Sequence, residues 1–285
     1  MKTARGFTGA ALLVVFLAAG PAWSITAGPD DFGYTAADDA SGVTYGWIDM
    51  SGGTDVVWSP GTCTDDCQST AIPLGFTFNF YGTDYTDVYV LANGVIVFTS
   101  LLAAEYAPFF GAQCPLPKAD EVDNMVAFYQ RDFNSEDATC AAGCWERYMT
   151  GGTAPNRWWG LTFNAVPIFR DAGSTEDPDP ITVQVILYES TNEVRIQVAD
   201  SGLKNGEDTM LGVEGQNGVA GLSFPGCLTA GYTRDNQAIV FTPPAGGTPV
   251  IPPARVGWDQ PDNTVTHDFV VYNLDATDVT FAITV

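Results

Sequence analysis

Between Ile72 and Gly82, apolar residues alternate with small or polar ones: Leu74, Phe76, Phe78 and Phe80 fall on one side, Gly75, Thr77 and Asn79 on the other. That is the period of a strand with one buried face. A second strand follows and turns at Asn93-Gly94, the pair preferred in two-residue hairpins because both residues tolerate positive φ. The same period recurs downstream. Over 157–165, Trp159, Leu161 and Phe163 share one face, while Trp158, Gly160, Thr162 and Asn164 take the other. Over 181–189, Ile181, Val183, Val185 and Leu187 point one way. After a turn at Ser190-Thr191-Asn192, the buried face continues through Val194, Ile196 and Val198, with Arg195 and Gln197 outside. Further strands are expected at 43–49, 87–92, 95–99, 125–129, 145–150, 210–214, 219–224 and 237–242, with a hairpin loop at Gly215-Gln216-Asn217-Gly218. Helical periodicity is confined to a turn or two around 101–106. Many short strands separated by Gly-, Asn- and Pro-rich turns predict an all-β chain, an antiparallel sandwich or barrel.

The ends of the chain read differently. Residues 1–24 have the form of a secretory signal: Lys2 and Arg5 open it, an apolar stretch from Ala10 to Gly20 is too short to span a bilayer, and Ala22-Trp23-Ser24 suits a signal peptidase. No later stretch is long and apolar enough to suggest a membrane span, so a secreted protein, not embedded in a membrane, is expected. Residues 243–254 hold five prolines and read as an extended, semi-rigid linker, placed at 245–254 between a main domain at 25–244 and a tail at 255–285. Two strands are expected in that tail, at 264–272 and 278–285. Two strands bury no core of their own, so the tail is taken as a partial second β domain.

Charge and cysteines narrow the function. With 34 acidic against 11 basic residues the formal net charge is −23. A field of that sign repels nucleic acid and anionic lipid, which makes neither a partner. Six cysteines in an exported chain point to disulfides. Spacing leaves 15 connectivities open; the pairing favoured is Cys63–Cys67 and Cys140–Cys144 as local loops, with Cys114–Cys227 as the long-range tie. A four-thiolate zinc site from the two C-x3-C pairs is the competing arrangement, disfavoured by oxidising export and the lack of nearby histidines.

Several segments, taken in order, resemble the nidogen-like β-sandwich modules of bacterial secreted and surface proteins. They are Asp31-Phe32-Gly33-Tyr34, Tyr45-Gly46-Trp47-Ile48-Asp49, the Ile72 to Gly82 strand, Tyr89 to Phe98 with its strand, Asn-Gly, strand pattern, Gly152-Thr153-Ala154-Pro155-Asn156-Arg157, Thr182 to Glu189, and Leu211-Gly212-Val213-Glu214. The resemblance covers about residues 30–244 and implies a sandwich that acts as a non-enzymatic extracellular module. Such modules stand beside adhesion-type or protease domains and bring no catalytic residues. Where that family usually carries a Phe-Trp-Asp-Asp-like run, this chain has Phe128-Tyr129-Gln130-Arg131-Asp132, with fewer carboxylates. The tail resembles the start of an immunoglobulin-like repeat.

The side-chain chemistry agrees. A hydrolytic triad needs an imidazole or lysine base, and the single histidine, His267, lies across the linker, while Lys118 and Lys204 sit in polar loops. The strand-borne Glu-x-Asp-x-x-Glu spacing of sandwich glycosidases is not met, because Glu121-Val122-Asp123 is followed by Val126 in the third acidic position. No cofactor is expected beyond a structural calcium. Asp177 and Asp179 are the candidate ligands, with Asp30-Asp31 and Asp38-Asp39 as other acidic turns. For binding, Trp158 faces away from the core residues beside it, and a flat indole there suits a glycan or an extracellular protein partner; Trp145 is a weaker candidate of the same kind. The expectation is an adhesion or recognition module, with a carbohydrate-binding accessory domain of a secreted protease or glycosidase as the alternative.

Overall fold

The computed structural model describes residues 25–59, 65–107, 114–118, 122–135, 140, 143–170, 179–203, 206–225, 227 and 231–245. The expected signal segment, most of the linker and the whole tail lie outside the described residues. The first strands are β1 (Thr26–Ala27), β2 (Thr35–Asp38), β3 (Thr54–Asp55), β4 (Trp58–Ser59), β5 (Gln68–Ser69), β6 (Ile72–Phe80), β7 (Thr83–Leu91) and β8 (Val95–Val97). A one-turn helix α1 (Ala103–Tyr106) separates them from β9 (Met125–Gln130), β10 (Trp145–Thr153), β11 (Asn156–Val166), β12 (Ile181–Tyr188), β13 (Val194–Asp200), β14 (Met210–Glu214), β15 (Gly221–Ser223) and β16 (Gln237–Thr242).

The strands form two antiparallel sheets, and the chain is a β-sandwich. The first sheet has the order β1-β2-β16-β13-β12-β11-β10-β3; the second runs β15-β14-β9-β8-β7-β5-β4, with β6 paired to β7. Alternation does what the sequence predicts on the inner faces. Trp159, Leu161 and Phe163 on β11, Val183, Val185 and Leu187 on β12, and Phe78 and Phe80 on β6 are all fully buried in one continuous core.

The turn chemistry departs from expectation. The two-residue hairpin with both residues at positive φ is Tyr81-Gly82 (φ 46° and 79°), closing Phe80 against Thr83. At Asn93-Gly94 only the glycine is left-handed (φ 75°), and the loop from Leu91 to Val95 holds three residues. A Cβ on Gly94 would run into the carbonyl of Tyr129, so the glycine there answers to close packing. Asn93 is buried and works through its side chain instead.

The two outer faces are covered in different ways. Outward residues of the second sheet (Leu91, Val95, Val97, Met125, Ala127 and Met210) form a second apolar cluster with Leu116 and Val122, against which Leu101, Tyr106, Cys114 and Cys227 pack. The Cys114–Cys227 disulfide closes it, and Cys140–Cys144 is also formed. Cys67 is disulfide-bonded; its expected partner, Cys63, lies outside the described residues. The first sheet is crossed by residues 44–50. Expected as a strand over 43–49, this part of the chain joins neither sheet ladder. Its backbone pairs with side chains: Gln197 accepts from Gly46 N and donates to Gly46 O (2.9 Å), while Gln184 accepts from Ile48 N (3.1 Å) and donates to Ile48 O (3.0 Å). Gln197 also donates to Gln184 Oε1 at 2.9 Å. Both amides are fully buried beneath this strap.

Candidate functional site

Among the described residues the strap crosses the middle of the first sheet's outer face, and the two candidate tryptophans sit on that face at opposite ends of the β10–β11 hairpin. Trp158 on β11 pairs across the ladder with Gly151 of β10 on one side and Tyr188 of β12 on the other. A Cβ on Gly151 would collide with the indole, and one on Gly160 would lie 3.5 Å from Trp158 Cζ3. The indole therefore lies over a floor of two glycines, half-buried. The buried Met50 at the end of the strap fills the rest of the space above Gly160. Beyond Tyr188, the guanidinium of Arg195 stacks on the phenol at 5.5 Å from the ring centroid.

Trp145 is opposite Asn164 at the far end of the same hairpin. Six residues separate it in register from Gly151, roughly 20 Å at the usual strand rise. The structure does not bring the two tryptophans together. Arg147 lies 5.2 Å from the Trp145 ring, and its charge is met by Asp55 (2.6 Å) and by Ser51 O.

Among the described residues, the acidic candidates make contacts within the fold. Asp177 lies outside the described residues. Asp179 is buried, with Oδ2 2.7 Å from Arg131 Nη1 and Oδ1 accepting from Leu203 N, so a cation there would compete with a guanidinium. Asp30 accepts from three successive amides, Phe32, Gly33 and Tyr34, and from Tyr81 Oη at 2.7 Å. Burial outweighs those bonds and raises its pKa. Asp38 accepts from Ser41 N and Ile25 N, and Asp39 pairs with Arg234 at 2.6 Å.

A different trio has the spacing of a cation site. Among the described residues, Asp65, Asp66 and Asp132 bring carboxylate oxygens within 4.8 Å of one another. Burial, then Asp66 and Asp65, push the Asp132 carboxyl up to about 6. Asn93 ties the group together, donating to Asp66 Oδ1 at 2.8 Å and accepting from Phe133 N at 2.9 Å. Here the Asn-Gly signature has a local meaning: Gly94 lets the β7–β8 turn approach β9, and Asn93 links the acidic loop before Cys67 to the end of β9. The Asp65-Asp66 pair inside a C-x3-C loop was the available signal, but joining it to Asp132 needed the fold.

A sandwich with this strand order, hairpin and turn is the setting in which a family match becomes interpretable. The family model described as NIDO related matches residues 33–250. The chain belongs to the NIDO-related family. The match spans both sheets of the sandwich and the start of the Pro-rich segment. No curated protein and no solved structure matches the chain. As a NIDO-related module with disulfides it is of an extracellular, non-catalytic type, and no helix among its described residues is long and apolar enough to cross a membrane.

Proposed function

We propose that this NIDO-related sandwich is a non-catalytic adhesion or recognition module of a bacterial secreted or surface protein, and that it meets its partner through the outer face of the first sheet around Trp158. The observation that carries this is the indole laid over Gly151 and Gly160: a large aromatic held flat, half-exposed, with Tyr188 beside it. Aromatics placed this way supply contact area at little conformational cost. The family type and the disulfides support an extracellular setting, and the tail beyond the linker is proposed to begin an immunoglobulin-like repeat. A carbohydrate-binding accessory domain of a secreted hydrolase is the alternative, since a flat indole suits a sugar ring as well as a protein.

The test is binding of the full chain to arrayed glycans and extracellular proteins, with Trp158→Ala alongside. A loss of about tenfold or more in the variant, with its melting temperature retained, is expected. Equal binding by the variant and the parent would sink the proposed surface.

A further inference from the structure

Three half-buried side chains beside the strap on the first sheet form one strip. Trp158 and Tyr188 are direct ladder partners, and opposite residues in an antiparallel pair share a face. Arg195, from the next strand, lies over the Tyr188 ring on that same face. The arginine is unusual in its electrostatic setting. Arg131, Arg147, Arg157 and Arg234 each pair with a carboxylate. Arg195 has no ion pair among the described residues. Stacking on Tyr188 orders the guanidinium, whose planar fork is suited to bidentate carboxylate recognition.

Resting on the recognition surface proposed above, we infer that the strip binds an acidic sugar within a glycan, its pyranose ring stacked on Trp158 and its carboxylate paired with Arg195, which the Tyr188 ring holds in place. The indole seated on Gly151 presents a plane, which suits a sugar ring better than an extended peptide. Peptide recognition by sheets uses a strand edge or side-chain pockets, whereas Trp158, Tyr188 and Arg195 lie on a sheet face. The overall charge limits the ligand further: a polyanion is repelled by a net −23, so a carboxylated residue set among neutral sugars is the class that fits.

Calorimetric titration of the full chain tests this with a trisaccharide ending in one glucuronate and its counterpart whose carboxylate is reduced to the alcohol. The acidic sugar should bind at least tenfold more tightly. Arg195→Gln should erase that preference, Arg195→Lys should restore only part of it, and Trp158→Ala should weaken both ligands. Arg195 is on the surface strip, so its variants are expected to fold, which near-UV circular dichroism checks. Equal affinity for the two trisaccharides, or a preference that survives in Arg195→Gln, overturns the acidic-sugar assignment. So does the absence of sugar binding alongside a protein ligand captured through Trp158. In each of those cases the recognition surface stands if Trp158→Ala still loses the ligand, and falls with the inference if it does not.

Discussion

The two outer faces of this sandwich begin from similar geometry and end with opposite chemistry. On the second sheet the outward residues are apolar, and an apolar cover including Leu116, Val122 and the Cys114–Cys227 bridge seals them into a second core. On the first sheet the outward residues over the middle are Thr162, Gln184 and Gln197, and the cover is a length of backbone. A backbone strap needs partners for its N–H and C=O groups, and two glutamine amides supply them the way a neighbouring strand would. The difference teaches where each face can serve. A sealed apolar face contributes stability and leaves nothing to display. A narrow polar strap covers only what it crosses, and Trp158, Tyr188 and Arg195 stay partly exposed beside it.

The largest effect should come from unfastening the sealed face. The Cys114–Cys227 bridge closes a sequence separation of 113 residues. In the chain-entropy account such a tie is worth about 4–5 kcal/mol, less where other bridges already restrict the unfolded chain, so Cys114→Ala/Cys227→Ala should lose about 3–5 kcal/mol in urea unfolding. A loss under about 1 kcal/mol would mean that apolar contacts alone seat the cover. The strapped face should respond next. Gln184→Leu keeps the volume but orphans the N–H and C=O of Ile48, at about 1–3 kcal/mol per buried unsatisfied group; because a loosened strap lets water reach both, the expected total is at the low end, about 2–3 kcal/mol. The strap should loosen locally, so the Ile48 amide should exchange with solvent faster while core amides of β12 keep most of their protection. Unchanged exchange at Ile48 would show that the glutamines are not what holds the strap.

Legibility followed the same divide. Inward faces were readable because period-two alternation needs no partner information, and Trp159, Leu161 and Phe163 are buried as expected. The second sheet's sealed face left a trace as well. β9 (Met125–Gln130) is buried at every position, which is why Met-Val-Ala-Phe-Tyr shows no alternation. The strap left none. A glutamine at an outward strand position reads as solvent-facing, and nothing near Gln184 or Gln197 announces that Gly46 and Ile48, more than 130 residues away, will cover them. Tyr81-Gly82 escaped notice as the tight turn because tyrosine is a poor candidate for positive φ. It is held there by packing with Phe32 and Tyr34 and by its hydroxyl on Asp30. Asn93-Gly94 drew attention through turn propensity, yet the asparagine acts by reaching Asp66. Of the acidic turns singled out, Asp30 and Asp38 proved to be backbone caps, and the Asp65, Asp66 and Asp132 group depends on two loops about 65 residues apart meeting at one end of the second sheet.

A smaller effect separates the two sheets by pH. Asp132, at the end of β9, is raised from 3.8 to about 6 by burial and by Asp66 and Asp65; Glu146, on β10 of the first sheet, is raised from 4.5 to about 7, chiefly by burial. Both shifts favour the protonated form in the folded state. Unfolded carboxyls ionise first as pH rises, so the native state holds more protons between about pH 4 and 7 and stability falls across that window. Below it both states are protonated and the full contribution is present; above it the loss is complete. Neither carboxyl is fully sealed from water, so screening should leave a combined loss of about 1–2 kcal/mol. Asp132→Asn should remove the part of the decline that ends near pH 6, and Glu146→Gln the part that ends near pH 7, which assigns each half to its own sheet. A stability that instead climbs from pH 4 to 7 in the parent, and is unaltered by either amide, would mean that these carboxyls are well solvated and that neither sheet end holds its acid under strain.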